Sequence, residues 1–218
     1  ISNDDLQFLL DQTVSVIRRA IPADYPFGQV IALDTKHIIA WVKENNPKVY
    51  IKEGRYDKNK QPKADSDCKL GIKRRSNQKK KSPKTPTKQA QPARQTRMAE
   101  VYWGYGSGVV TTKTPLWGEV VLAEHTQPFN ESDVSYFHPL MALVERRLGV
   151  RPPFGSYDAA FDAWYVYQYH HQAGGLAAVP LVHKGGHTRE FDQQRRPLCE
   201  AGLGMYPKVY FTSRTDFV

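Results

Sequence analysis

Apolar positions near the start of the chain recur at helical spacing. Leu6, Leu10, Val14 and Ile17 follow one another at steps of three or four residues. Ser2 precedes this stripe and is a typical N-cap residue, so the pattern predicts a first helix that begins just after Ser2. We interpret residues 1–24 as an N-terminal helix and as the candidate remnant of an upstream domain.

Apolar runs then predict strands. The run 30–33 is strand-like and ends on a lone carboxylate, Asp34. A second run at 38–42 predicts that the strand resumes after a local break.

The pattern resumes at residue 101 after a long polar stretch. Two strand-like runs come first, then a helix with an apolar face and Pro139 in its first turn. A strand ending at Asp158, a further helix and a last strand follow. This order predicts an α/β fold in which helices flank a mixed sheet. The strands are expected at 101–112, 118–124, 154–158 and 176–182, and the helices at 137–148 and 159–173.

The polar stretch 43–98 is strongly basic. Between Lys69 and Arg97 there are 11 Lys or Arg residues and no acid, whereas the whole chain has 31 basic and 22 acidic residues and a net charge of +9. Few apolar residues occur there, so we expect a disordered, low-complexity insertion. Its cations are candidates for binding nucleic-acid phosphate, and a solvated loop is the alternative. The candidates are Lys73, Arg74, Arg75, Lys79, Lys80, Lys81 and Lys84.

The same strand patterns place two carboxylates, Asp34 and Asp158, at strand ends. Carboxylates on a rigid sheet are ligands that suit a hard divalent cation. Helix capping or a salt bridge at the end of the sheet is the alternative for both residues.

Four segments together resemble the DDE transposases of bacterial insertion sequences. They are 30–41 around Asp34, 155–164 around Asp158, the Gly-rich strand 102–112, and 191–205. The resemblance implies a ribonuclease H-like fold whose core has the order strand, strand, strand, helix, strand, helix, strand. The core would comprise 25–42 and 99–183, and the family's β-rich insertion would begin at 184–218 and be cut off by the chain end.

The resemblance also implies a chemistry. Asp34 matches the first catalytic acid and Asp158 the second, both as ligands of Mg²⁺ or Mn²⁺. The activity would be cleavage and strand transfer of DNA at insertion-sequence ends, by a homodimer on paired ends. The expected location is the bacterial cytoplasm, at the nucleoid. The two cysteines show no CxxC spacing, which fits a reducing compartment, and no apolar run of about 18 residues predicts a membrane span.

A third acid, usually Glu on a later helix, completes the family pattern. Glu190 and Asp192 stand at a suitable distance but lack helical periodicity, so we expect the third acid beyond Val218. A chain truncated in this way should have little strand-transfer activity. Two alternatives stay open: a catalytically inactive DNA-binding remnant, and a ribonuclease H-like nuclease without transposition.

Overall fold

The computed structural model describes residues 2–46, 57–74, 99–115, 118–180 and 190–196, with 198, 202 and 204. The chain divides into two compact units. The first comprises Ile1–Thr35, Gly108–His125 and Ser132–Val218, and the second comprises Lys36–Ser107 and Thr126–Glu131. The elements are α1 (Asn3–Ala20), β1 (Val30–Ile39), β2 (Lys69–Arg74), β3 (Ala99–Thr114), β4 (Gly118–Pro128), α2 (Phe137–Leu148), β5 (Phe154–Ser156), α3 (Trp164–Gln172) and β6 (Leu176–Ala178).

Hydrogen bonds join five strands in the order β2-β3-β1-β5-β6, and β4 pairs with β3. β1 is parallel to β5, and β5 is parallel to β6. β2 is antiparallel to β3. The sheet is therefore mixed, which confirms the predicted α/β class with flanking helices.

The helices of the first unit follow the predicted apolar faces. Ser2 caps α1 in a capping box with Asp5. In α2, the buried residues are Phe137, Leu140, Met141, Val144 and Leu148, and the helix ends at Gly149 in the left-handed region (φ 72°). These side chains form one core with the inward face of the strands in this unit. Burial of this apolar surface is the main stabilising contribution to the unit.

Strand β1 differs from the prediction. No break follows Asp34, and the strand continues to Ile39. In its first five residues, burial alternates: Ile31 and Leu33 point into the core, and Val30, Ala32 and Asp34 are exposed. Polar residues can continue the strand after Asp34, because a sheet needs only one of its two faces buried and the other can face water. Asp34 therefore lies inside a strand rather than at its end.

The segment after Asp158 also differs. Instead of one helix from residue 159, a 3₁₀ helix (Ala159–Phe161) is separated from α3 by Asp162 and Ala163. The Asp162 carboxylate accepts a hydrogen bond from the Tyr167 hydroxyl at 2.9 Å. Strand β6 has three residues and is not the buried strand predicted for 176–182, since Leu176 and Ala178 are exposed.

The second unit contains an element that the sequence analysis missed. Residues 69–74 form β2 inside the segment predicted to be a disordered insertion, paired with 99–104 of β3. The physical reason is burial: Cys68 and Leu70 pack with Trp103 in a small core. Tyr102 stacks on Phe129 with 4.5 Å between ring centroids, so it has a packing role.

A buried guanidinium ties helices α1 and α2 to strand β4 in the first unit. The Arg147 side chain is 2% exposed and its Nε lies 2.6 Å from the Asp11 carboxylate. It also donates to the carbonyl oxygens of Leu122 and Gln7 and to the Gln7 side chain. Within the described ranges, no helix is long and apolar enough to cross a membrane.

We predict that Arg147→Ala lowers the free energy of unfolding by about 2–3 kcal/mol, because it leaves the Leu122 and Gln7 carbonyl oxygens without their charged donor and removes the buried one of the two arginines that contact Asp11. Arg146 is the matched control: it contacts the same Asp11, but its side chain is 55% exposed. Arg146→Ala should change stability by less than about 1 kcal/mol. Urea denaturation of both variants checks this, and equal losses would contradict the assignment.

Candidate functional site

The pairing of β1 with β5 brings the two predicted carboxylates together. Val30 pairs with Phe154, Ile31 with Gly155 and Ala32 with Ser156, an offset of 124 residues. β5 ends at Ser156, and Asp158 is the second residue beyond it, so extending the register by two residues would place Asp158 level with Asp34. The charge of Asp34 raises the pKa of the Asp158 carboxyl, which agrees with this placement. Both are exposed and follow exposed Ala32 and Ser156, so both side chains leave the same face of the sheet.

A hydrogen bond between the buried side chains of Tyr157 and His170 holds the chain in place where it leaves β5, next to Asp158. The His170 Nδ1 contacts the Pro152 carbonyl oxygen at 2.9 Å, so it carries the proton and donates. The Tyr157 hydroxyl therefore donates to Nε2 of His170 at 2.5 Å. A Cβ on Gly155 would lie 2.5 Å from both of these polar atoms, which explains the glycine. Burial lowers the pKa of His170, so the imidazole is held neutral.

A third carboxylate, Asp133, lies close to Asp34. It begins the 3₁₀ helix Asp133–Tyr136 that leads into α2. Its Oδ1 accepts a hydrogen bond from the Thr35 hydroxyl at 3.1 Å, which ties it to β1 next to Asp34. The sequence analysis missed Asp133 because nothing local marks it: the contact joins residues 98 positions apart.

Each of the three carboxylates is held through one oxygen. Oδ1 of Asp34 accepts from the Thr35 N–H at 2.8 Å, and Oδ1 of Asp158 accepts from the Ala160 N–H at 2.9 Å. With the Thr35 bond to Asp133, every Oδ1 has a donor in the chain, and no hydrogen bond to any Oδ2 of the three is present in the described part of the protein. Three oriented carboxylates therefore present oxygen atoms to the solvent.

Their charges act on one another. Asp158 is exposed overall, but nearby protein atoms displace part of its water, and this desolvation raises its pKa. The Ala160 N–H opposes the shift, and the negative charges of Asp133 and Asp34 raise the pKa further. No described Lys or Arg forms an ion pair with any of the three. The cluster is thus a concentration of negative charge that the described chain does not neutralise.

This donor set fits a hard divalent cation in charge and in ligand type. Among the residues that the structure describes, however, no three His, Cys, Asp or Glu side chains are grouped closely enough to hold a metal ion as they stand. Binding through all three would require the side chains to turn toward the ion. Asp158 also fulfils the alternative role, because it is the N-cap of the 3₁₀ helix Ala159–Phe161.

The remaining candidates are placed as follows. Lys73 lies exposed on β2, opposite Glu100, and Arg74 ends that strand. Asp192 forms an ion pair with Arg196, so its carboxylate already has a cation and is a poor third ligand. Five basic candidates lie outside the described residues: Arg75, Lys79, Lys80, Lys81 and Lys84.

Comparison with protein-family models, with curated proteins and with solved structures finds no match to this chain. The functional assignment therefore depends on the geometry and chemistry of the site.

We predict that Asp158→Asn raises the melting temperature at pH 7. The folded-state pKa of Asp158 is raised, so its carboxyl favours the fold when protonated, below the usual value of 3.8, and this contribution is lost as the pH rises through the raised pKa. Asn removes the repulsion and still caps the helix. Calorimetry between pH 3 and 8 should show the largest gain at neutral pH; a lower melting temperature for the variant there would contradict the repulsion.

Proposed function

We propose that this chain is the catalytic core of a metal-dependent enzyme that cleaves DNA, with a ribonuclease H-like fold and the chemistry of a DDE transposase. The observation that carries the proposal is the parallel register of β1 and β5, which leads toward Asp34 and Asp158, with Asp133 bonded to Thr35 next to Asp34. Structural support comes from the element order: without β2, the elements from β1 to β6 follow the strand, strand, strand, helix, strand, helix, strand order of that fold.

The residues have separate tasks in this proposal. Asp34, Asp133 and Asp158 would hold Mg²⁺ or Mn²⁺. When bound, such a cation polarises a phosphoryl oxygen and lowers the pKa of a coordinated water. The Thr35 N–H and hydroxyl and the Ala160 N–H orient the three carboxylates before any ligand arrives. The side chains would still have to turn for all three to reach one ion, so these bonds keep the carboxylates near one another without completing the ligand set.

A second candidate is a ribonuclease H-like nuclease that does not transpose. The position of the third carboxylate favours it, because Asp133 precedes Asp158 in the chain, whereas the transposase pattern has its third acid after the second. A nuclease of this kind would cleave nucleic acid without joining ends to a target. An inactive DNA-binding remnant would do neither.

The test is cleavage of a DNA duplex and of an RNA–DNA hybrid, with Mg²⁺ or with EDTA. We expect cleavage that needs the cation and that falls at least about 100-fold in Asp34→Asn, Asp133→Asn and Asp158→Asn, because each loses a charged ligand. Glu119→Gln is the control, since this exposed acid lies at the far end of β4 from Asp133 and should retain activity.

Two results separate the transposase from the nuclease, and two others would contradict the site. Joining of cut ends to a second DNA supports a transposase, and cleavage without joining supports the nuclease. Cleavage that persists in EDTA, or that Asp34→Asn leaves unchanged, would contradict the proposed site.

A further inference from the structure

A second charged feature of the first unit lies between helices α1 and α2. An open groove of about 410 Å³ is lined by Asp11, Ser15, Arg18, Arg19, Arg146 and Arg147. Four arginines against one aspartate leave a formal charge of +3. Arginine is the side chain best suited to bidentate contacts with phosphate oxygens.

The arginines are not equivalent. Arg147 is buried and its guanidinium is committed to Asp11, Gln7 and Leu122, so it is part of the fold. Arg146 contacts Asp11 through one terminal nitrogen only. It is the most exposed member of that ion-pair network.

The two arginines of α1 also keep most of their hydrogen-bonding capacity. Arg18 donates from Nη1 to the Leu148 carbonyl at 2.7 Å, and Arg19 donates from Nε to the Ser15 carbonyl at 3.2 Å. A guanidinium has five N–H donors, so most donors of Arg18, Arg19 and Arg146 remain for a ligand. The bonds that they do make fix each side chain at the wall of the groove.

The groove suits a polymer better than a small molecule. Ser15, Arg18, Arg19 and Arg146 are all exposed, and among the described residues none of the side chains that line the groove is apolar. Sites for small ligands are mostly apolar and bury most of the ligand surface. A nucleic-acid backbone needs only a row of cations, because it gains affinity from many phosphates along its length.

The groove is separate from the carboxylate cluster. Arg146 lies near the end of α2, whereas Asp133 precedes its first residue. At 1.5 Å per helical residue, the two are roughly 15–20 Å apart along α2. That distance corresponds to about four to six base pairs along a duplex.

We propose that the groove between α1 and α2 binds the phosphodiester backbone of DNA through Arg18, Arg19 and Arg146. The inference takes its partner, DNA, from the proposed function, but it does not depend on the carboxylates or on a metal ion. The chemistry recognised is the tetrahedral phosphate, and the source is a nucleic-acid strand rather than free phosphate.

The experiment measures affinity for a duplex of about 20 base pairs in EDTA at increasing salt, by fluorescence anisotropy. Log affinity falls as log salt rises, and the variant Arg19→Gln/Arg146→Gln should make this fall less steep by about 2, one per lost phosphate contact. Arg18→Gln should make it less steep by about 1. Arg19→Lys/Arg146→Lys keeps both charges and should keep the slope.

The matched control is Lys58→Gln/Lys63→Gln, which removes two exposed cations from the second unit and should leave the slope unchanged. The proposal would be overturned if the groove variant kept the wild-type slope. It would also be overturned if the slope of the lysine control changed as much as that of the groove variant. So would pyrophosphate binding that the groove variant abolishes while its DNA slope stays unchanged, since that would assign the groove to free phosphate. Wild-type protein that binds no DNA would overturn the DNA partner of the proposed function as well.

Discussion

The parallel pairing of β1 with β5 determines where the functional groups of the first unit lie. Its offset of 124 residues, extended two residues past Ser156, places Asp158 level with Asp34. The same pairing closes the core, because Ile31 and Leu33 pack on the inward face of these strands. A shift of the register by one residue would turn Asp158 to the face that now holds Tyr157. The buried contact of Tyr157 with His170 opposes such a shift, since it requires both residues in their present places.

The grouping of the three carboxylates has a cost in stability. The Asp158 carboxyl has a raised pKa because it is partly desolvated and because the charges of Asp133 and Asp34 act on it. A site that gathers negative charge without a cation of its own is typical of functional positions rather than of structural ion pairs. Asp11 differs from these carboxylates, because its charge is paired with Arg146 and Arg147. These ion pairs connect α1 to α2.

Sequence reasoning found the residues whose signals are local. Asp34 follows a short apolar run, Asp158 follows a short strand-like segment, and the faces of α1 and α2 follow from helical spacing. Asp133 could not be found in this way, because only the folded hairpin of β3 and β4 returns the chain to Thr35.

Strand β2 was missed for a different reason. Its basic composition resembles a solvated loop, and its stability comes from pairing with β3 and from the burial of Leu70 against Trp103. The groove between α1 and α2 is lined by residues of both helices, so no single segment of the sequence predicts it. Both features depend on contacts between distant segments, which composition and periodicity do not predict.

The most direct measurement is the pKa of the Asp158 carboxyl, followed by ¹³C NMR, in the wild-type protein and in Asp34→Asn. If the two residues lie level with one another, removing the charge of Asp34 should lower the pKa of Asp158 toward its usual value. An Asp158 pKa that is the same in both proteins would show that the two carboxylates do not meet, and the proposed site would be wrong.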